Sequence, residues 1–140
     1  MVIRIKNCVD AEILGSQYVC KEFMSDDGHI LKSQGEVRID EFLSDEGIFH
    51  KYEPDYYSKK TNKAIKPDWL LPNFKGKGDV YIEYWGMENN EEYDQQKEYK
   101  MQIYREDKLT VICIVPTDMG NLKKILKRKL ENFIPNRINE

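Results

Sequence analysis

Two carboxylates stand where strand-like runs normally exclude them. Asp68 lies in "AIKPDWLLPN" and Glu83 in "DVYIEYWGM", both short, bulky and apolar. A buried carboxylate is costly unless it is paired, hydrogen-bonded or bound to a metal. Asp68 shares a strand face with Leu70, and Glu83 shares one with Trp85. If the two runs are hairpin neighbours, a cross-strand spacing of about 5 Å brings the carboxylates together. Like charges that close repel and raise a pKa, and a divalent cation removes the conflict. Carboxylate oxygens suit Mg2+ or Mn2+, and Mg2+ keeps water and phosphate ligands as well. Glu36, on a helix upstream, is placed to add a third carboxylate, and Lys100 falls on the inward face of a later helix, set to contact a water or a scissile phosphate. A metal, a lysine and a carboxylate group are the parts needed to activate water and stabilise a pentavalent phosphate.

The elements that must carry these residues begin at Ser33. Ser33 and Glu36 form an S-x-x-E capping box, Ile39, Phe42 and Leu43 follow at helical spacing, and Gly47 stops the helix. "IFHKYEPDYY" reads as a strand to Pro54 or a little beyond, "SKKTNK" as a turn, and "AIKPDWLL" as a second strand with Pro67 in its early part. "PNFKGKG" is a turn and "DVYIEYWG" a third strand, bulky on both faces and so covered on both. From about Glu91 to Glu106 the pattern is helical, with Tyr93, Lys97, Lys100, Met101 and Tyr104 along one face. "LTVICIVP" is a buried strand. Thr117 or Asp118 is expected to cap a last helix with the stripe Leu122, Ile125, Leu126, Leu130 and Phe133, and the closing "PNRINE" is expected to fray. The order α-β-β-β-α-β-α predicts an α/β fold: an antiparallel meander, a helical crossover to a fourth strand, and helices on both faces of a mixed central sheet.

A chain of 140 residues with a net charge of −3 predicts one domain and argues against coating nucleic acid by bulk charge, though not against a local basic groove. The start, "MVIRIKNCVD", lacks a signal-peptide core and no apolar run approaches a membrane span, so the expected location is cytoplasmic. Cys113 reads as a small buried apolar residue, while Cys8, Cys20 and His29 fit no zinc spacing. An odd count of three cysteines argues against a disulfide framework.

The stretch "SQGEVRIDEFL … KPDWLLPN … DVYIEYWG … YKMQIY" resembles the PD-(D/E)XK nuclease superfamily, across roughly residues 28 to 116. It is most similar to small nuclease domains of the helicase-associated and very short patch repair kinds. The resemblance implies a restriction-endonuclease-like α-β-β-β-α-β core with an extra C-terminal helix: an N-terminal extension at 1–32, a nuclease domain at 33–134 and a tail at 135–140. It implies a metal-dependent DNA endonuclease, with Asp68, Glu83 and the backbone carbonyl of Tyr84 on Mg2+ or Mn2+. Glu36 would hold a second ion or a water of the first, and the products would be a 5′-phosphate and a 3′-hydroxyl. DNA is the implied partner, with a homodimer as one arrangement. The pattern E-x-K is broken, because Trp85 stands at its third position. Relatives with E-Y-W-G carry the lysine on the following helix, which points to Lys100, with Lys97 as the substitute one turn earlier. Relatives also carry a cysteine-rich zinc ribbon near the start, whose paired cysteines are absent here.

Each residue has a plainer reading. Glu36 as a helix cap, Asp68 as an edge residue beside Pro67, Glu83 as a solvent-facing strand residue and Lys100 as a solvated lysine need no chemistry. Lys59, Lys60, Lys63, Lys66, Lys75 and Lys77 surround Asp68, which is the only acid between Ser58 and Gly78. Of these, Lys66, Lys75 and Lys77 are the candidates for holding phosphates beside the cut. The alternative function is a nuclease-fold module without catalysis, binding nucleic acid or docking on a larger repair, recombination or defence complex.

Overall fold

The computed structural model describes Arg4–Ile5, Phe23–Met24, Ile30–Leu31, 33–86 and 90–140. Cys8, Cys20 and His29 lie outside the described residues. The chain divides into two compact units, Met1–Ile48 and Phe49–Glu140.

In the first unit, β1 (Arg4–Ile5), β2 (Phe23–Met24) and β3 (Ile30–Leu31) form an antiparallel sheet in chain order. Helix α1 (Gln34–Asp45) follows. The expected cap is there: Ser33 Oγ accepts the Glu36 N–H at 3.1 Å, and the Ser33 hydroxyl donates to the Glu36 carboxylate at 3.4 Å. Val37, Ile39 and Leu43 are fully buried, as their spacing requires.

The second unit is built on a five-stranded mixed sheet of β4 (Lys51–Tyr52), β7 (Trp69–Leu71), β8 (Val80–Tyr84), β9 (Thr110–Ile114) and β10 (Ile138–Asn139). Strands β4, β7 and β8 run as an antiparallel meander, and β9 lies parallel beside β8. Helix α2 (Glu91–Glu106) supplies the crossover between them. Asn90 starts it by accepting the Tyr93 N–H at 3.0 Å. Met101, Ile103 and Tyr104 of α2 pack on Tyr81, Trp85, Val111 and Cys113, which share one sheet face. Trp69, Leu71, Val80, Ile82, Ile112 and Ile114 line the opposite face and are fully buried. Helix α3 (Leu122–Asn132) packs on β9 and buries Leu122, Leu126 and Leu130. Among the described residues no helix is long and apolar enough to cross a membrane.

Three expectations about local structure need correction. "AIKPDWLL" is not one strand. Its first part, β6 (Lys63–Ile65), pairs with β5 (Tyr56–Ser58) in a separate hairpin, and only Trp69–Leu71 joins the main sheet. Pro67 has no N–H for a ladder, and Glu53 and Asn62 take left-handed conformations (φ 48° and 57°) that end β4 and turn the hairpin. Asp118 does not cap α3. It accepts the Val115 N–H at 3.0 Å and starts a 3-10 segment, Pro116–Asn121, ahead of the helix. Finally, "PNRINE" contributes an edge strand: β10 pairs parallel to β9, and the Asn139 side chain donates to the carbonyls of Val111, Ile134 and Arg137.

Candidate metal centre

The β7–β8 register pairs Trp69 with Ile82. The next position outward sets Asp68, in the bend just before β7, opposite Glu83. Residues opposite one another in an antiparallel pair point to the same face. Asp68 Oδ2 accepts the Tyr84 N–H at 2.7 Å. Glu83 is wholly buried. Its Oε1 receives the Lys100 ammonium at 2.8 Å and the Tyr104 hydroxyl. Lys100 and Tyr104 are one turn apart on α2, so both reach the same oxygen. Glu83 Oε2 is buried with no hydrogen-bond partner.

This arrangement is electrostatically unfinished. Two carboxylates face one ammonium, which leaves the cluster negative. Burial pushes the Glu83 carboxyl well above its ordinary value, and the neighbouring Asp68 charge pushes it further, while Lys100 pulls it down. Burial also raises Asp68, against the pull of Lys100, a hydrogen bond from Glu83 and the Tyr84 N–H. Both carboxyls are thus harder to ionise here than in water, Glu83 more so than Asp68. Burial and the Glu83 charge raise the Tyr104 phenol as well, so it stays a donor.

A hard divalent cation fits the donors present: two facing carboxyls, one with an orphaned buried oxygen. Among the described residues, no group of three or more His, Cys, Asp or Glu side chains is assembled to hold a metal. Asp68 and Glu83 would therefore hold an ion that keeps waters or phosphate oxygens in its remaining positions, as Mg2+ characteristically does.

Glu36 belongs to the first unit, on α1, while the centre lies wholly in the second. Lys100 reaches Glu83, whereas the Lys97 ammonium lies over the Trp85 ring, 5.2 Å from its centroid. Trp85, which breaks the E-x-K pattern, is buried, and its indole N–H donates to Cys113 Sγ at 3.3 Å. Lys66 is exposed, paired with Asp55 at 2.8 Å, and lines a groove with Lys100. Lys75 and Lys77 are in the turn joining β7 to β8, at the far end of both strands from the carboxylates. Their ammonium groups sit over Phe74 and Phe133.

Two neighbours escaped the sequence reading. Glu53 donates its N–H to the Asp68 carbonyl at 2.8 Å, and its charge raises Asp68. No motif spacing marks it, because a left-handed residue brings it there. Tyr104 was legible in principle, being four residues after Lys100.

No protein-family model, curated protein or solved structure matches the chain. The geometry of the site therefore carries the functional argument.

Tyr104→Phe isolates one hydroxyl, since the ring keeps its stack on Tyr81 with centroids 6.4 Å apart. Loss of a partner that orients a metal ligand typically costs about 10–100-fold in metal affinity. Calorimetric Mn2+ titration should show that weakening at little change in melting temperature. Unaltered affinity would mean that the hydroxyl does not orient Glu83.

Proposed function

We propose that the chain is a metal-dependent DNA endonuclease of the PD-(D/E)XK type, with the restriction-endonuclease-like arrangement of its core. The observation that carries this reading is the meeting of Asp68, Glu83 and Lys100 around a buried oxygen that lacks a partner. The meander β4-β7-β8 followed by α2 and the parallel strand β9 supports it.

A bound Mg2+ would supply Lewis-acid polarisation of a phosphoryl oxygen and a lowered pKa for water. The chain's own residues do the rest. Asp68 and Glu83 would hold the ion. The Tyr84 N–H fixes the Asp68 carboxylate through Oδ2, and Tyr104 fixes Glu83 through Oε1. The Lys100 ammonium, partly open to solvent on its outer side, binds a phosphate oxygen or orients the attacking water. Trp85 is buried, and the ammonium groups of Lys97 and Lys100 lie over the face of its ring. Hydrolysis of this kind leaves a 5′-phosphate and a 3′-hydroxyl.

The test is nicking of supercoiled plasmid by the purified chain. Conversion to open circles should require Mg2+ or Mn2+ and stop with EDTA, and the nicks should be sealed by a ligase that needs a 5′-phosphate. The second reading, a DNA-binding module without catalysis, draws on Trp85 in the lysine position of E-x-K. Tight DNA binding without metal heat or cleavage would favour it and overturn the first.

A further inference from the structure

The β5–β6 hairpin is fastened to the end of α2. Ser58 Oγ donates to Asp107 at 2.9 Å, Tyr56 donates to the same carboxylate, and the Lys60 ammonium donates to the Glu106 carbonyl at 3.1 Å. Hairpin and helix thus act as two fixed walls. Between them opens a groove of about 410 Å3 lined by Ile65, Lys66, Gln95, Gln96, Tyr99 and Lys100, with Glu92 its one acid. Lys100 belongs both to this groove and to the metal centre, so the groove leads to Glu83. On its wall Tyr99 is 42% exposed, and the Lys63 ammonium sits over the ring, 5.0 Å from its centroid.

We infer that this groove binds a nucleic-acid single strand, with an unpaired base displacing the Lys63 ammonium to stack on Tyr99 and the backbone passing Lys63, Lys66 and Lys100. An exposed ring flanked by ammonium groups is the combination that holds single strands with little regard to sequence, because every base has a stacking face. In a duplex those faces are covered by neighbouring bases, and Tyr99 would have nothing to stack on. The glutamine amides of Gln95 and Gln96 suit the edges of an unpaired base, since each offers both donor and acceptor. The inference rests on the nuclease reading for its substrate, and narrows it from DNA in general to a DNA with an unpaired stretch beside the cut.

Fluorescence anisotropy with a labelled oligothymidine and a duplex of equal length, both in EDTA, tests it without metal or cleavage. Wild type should prefer the single strand. Tyr99→Ala should weaken oligothymidine binding about tenfold or more, Tyr99→Trp should restore it, and duplex binding should change less than about twofold. Tyr99 is exposed, and circular dichroism verifies that each variant is folded. Equal oligothymidine affinity for wild type and Tyr99→Ala, or a wild-type preference for duplex, overturns the inference even if Mg2+-dependent nicking is observed. Tyr99-dependent binding by a chain that never cleaves upholds it and sinks the hydrolytic reading instead.

Discussion

Asp68→Asn is expected to stabilise the metal-free protein while removing its cleavage activity. The asparagine carbonyl can still accept the Tyr84 N–H, and its amide can donate to the orphaned Glu83 Oε2. The repulsion between the carboxyls disappears, and one buried oxygen gains a partner. A hydrogen bond of that kind contributes about 1 kcal/mol, or roughly 3 °C in melting temperature for a chain of this size. Metal binding should be lost, and with it several kcal/mol of transition-state stabilisation, so cleavage should fall at least about 1000-fold. Saturating Mn2+ should raise the wild-type melting temperature, by about 2.7 kcal/mol of stability at a hundred times the dissociation constant, and leave the variant unmoved. The pH dependence supplies a second readout. Both carboxyls titrate above their ordinary values in the folded state. Between the ordinary carboxylate range, about 4, and those raised values, the folded state binds more protons than the unfolded one, so these two groups lower stability as pH rises. Most paired carboxylates do the opposite. In the metal-free wild type, this pair's contribution should therefore fall as pH climbs through that window. Asp68→Asn should flatten the trend, and a variant as sensitive as wild type would show that the pair is not its source.

Lys100→Met is expected to be the more damaging change. It leaves Glu83, a wholly buried acid, without its cationic partner, and breaking a buried pair from one side costs about 3–5 kcal/mol. Lys100 is partly open to solvent, which places the loss toward the lower figure. Urea unfolding measures it. Adding Glu83→Gln should recover much of the lost stability, because the orphaned charge goes too. Cleavage by Lys100→Met, assayed where it remains folded, should drop about 100- to 10,000-fold, the usual range for a lost proton-handling or phosphate-binding group. Mn2+ binding should survive, because the ammonium that competes for Glu83 has gone. Loss of metal binding together with cleavage would make Lys100 part of the ion's support rather than a group acting on water or phosphate.

The sequence marks the site more clearly than the scaffold around it. Asp68 and Glu83 were legible because carboxylates inside bulky apolar runs need a reason to be there. Lys100 was legible because a helical period of 3.6 turns it toward the sheet. The register that joins the two acids follows from a short Pro/Gly turn between two adjacent runs. The β5–β6 hairpin was only half legible. Its turn, "SKKTNK", was legible, with Asn62 suited to the left-handed conformation it takes, but the break at Glu53, also left-handed, and the separation of Lys63–Ile65 from Trp69–Leu71 at Pro67 were not. The closing strand escaped for a different reason. "RINE" has no apolar alternation, and its pairing depends on the side-chain amide of Asn139 and on the exposed edge that β9 offers. Glu53 was missed with the break it makes, since only that kink brings its backbone to Asp68.

The central claim is that Asp68 and Glu83 hold one divalent cation. Crystals soaked in Mn2+ and measured for anomalous scattering test it most directly. A peak in contact with both carboxylates, lost in crystals of Asp68→Asn, is the expected result. Saturating Mn2+ with no density between these side chains would contradict the account.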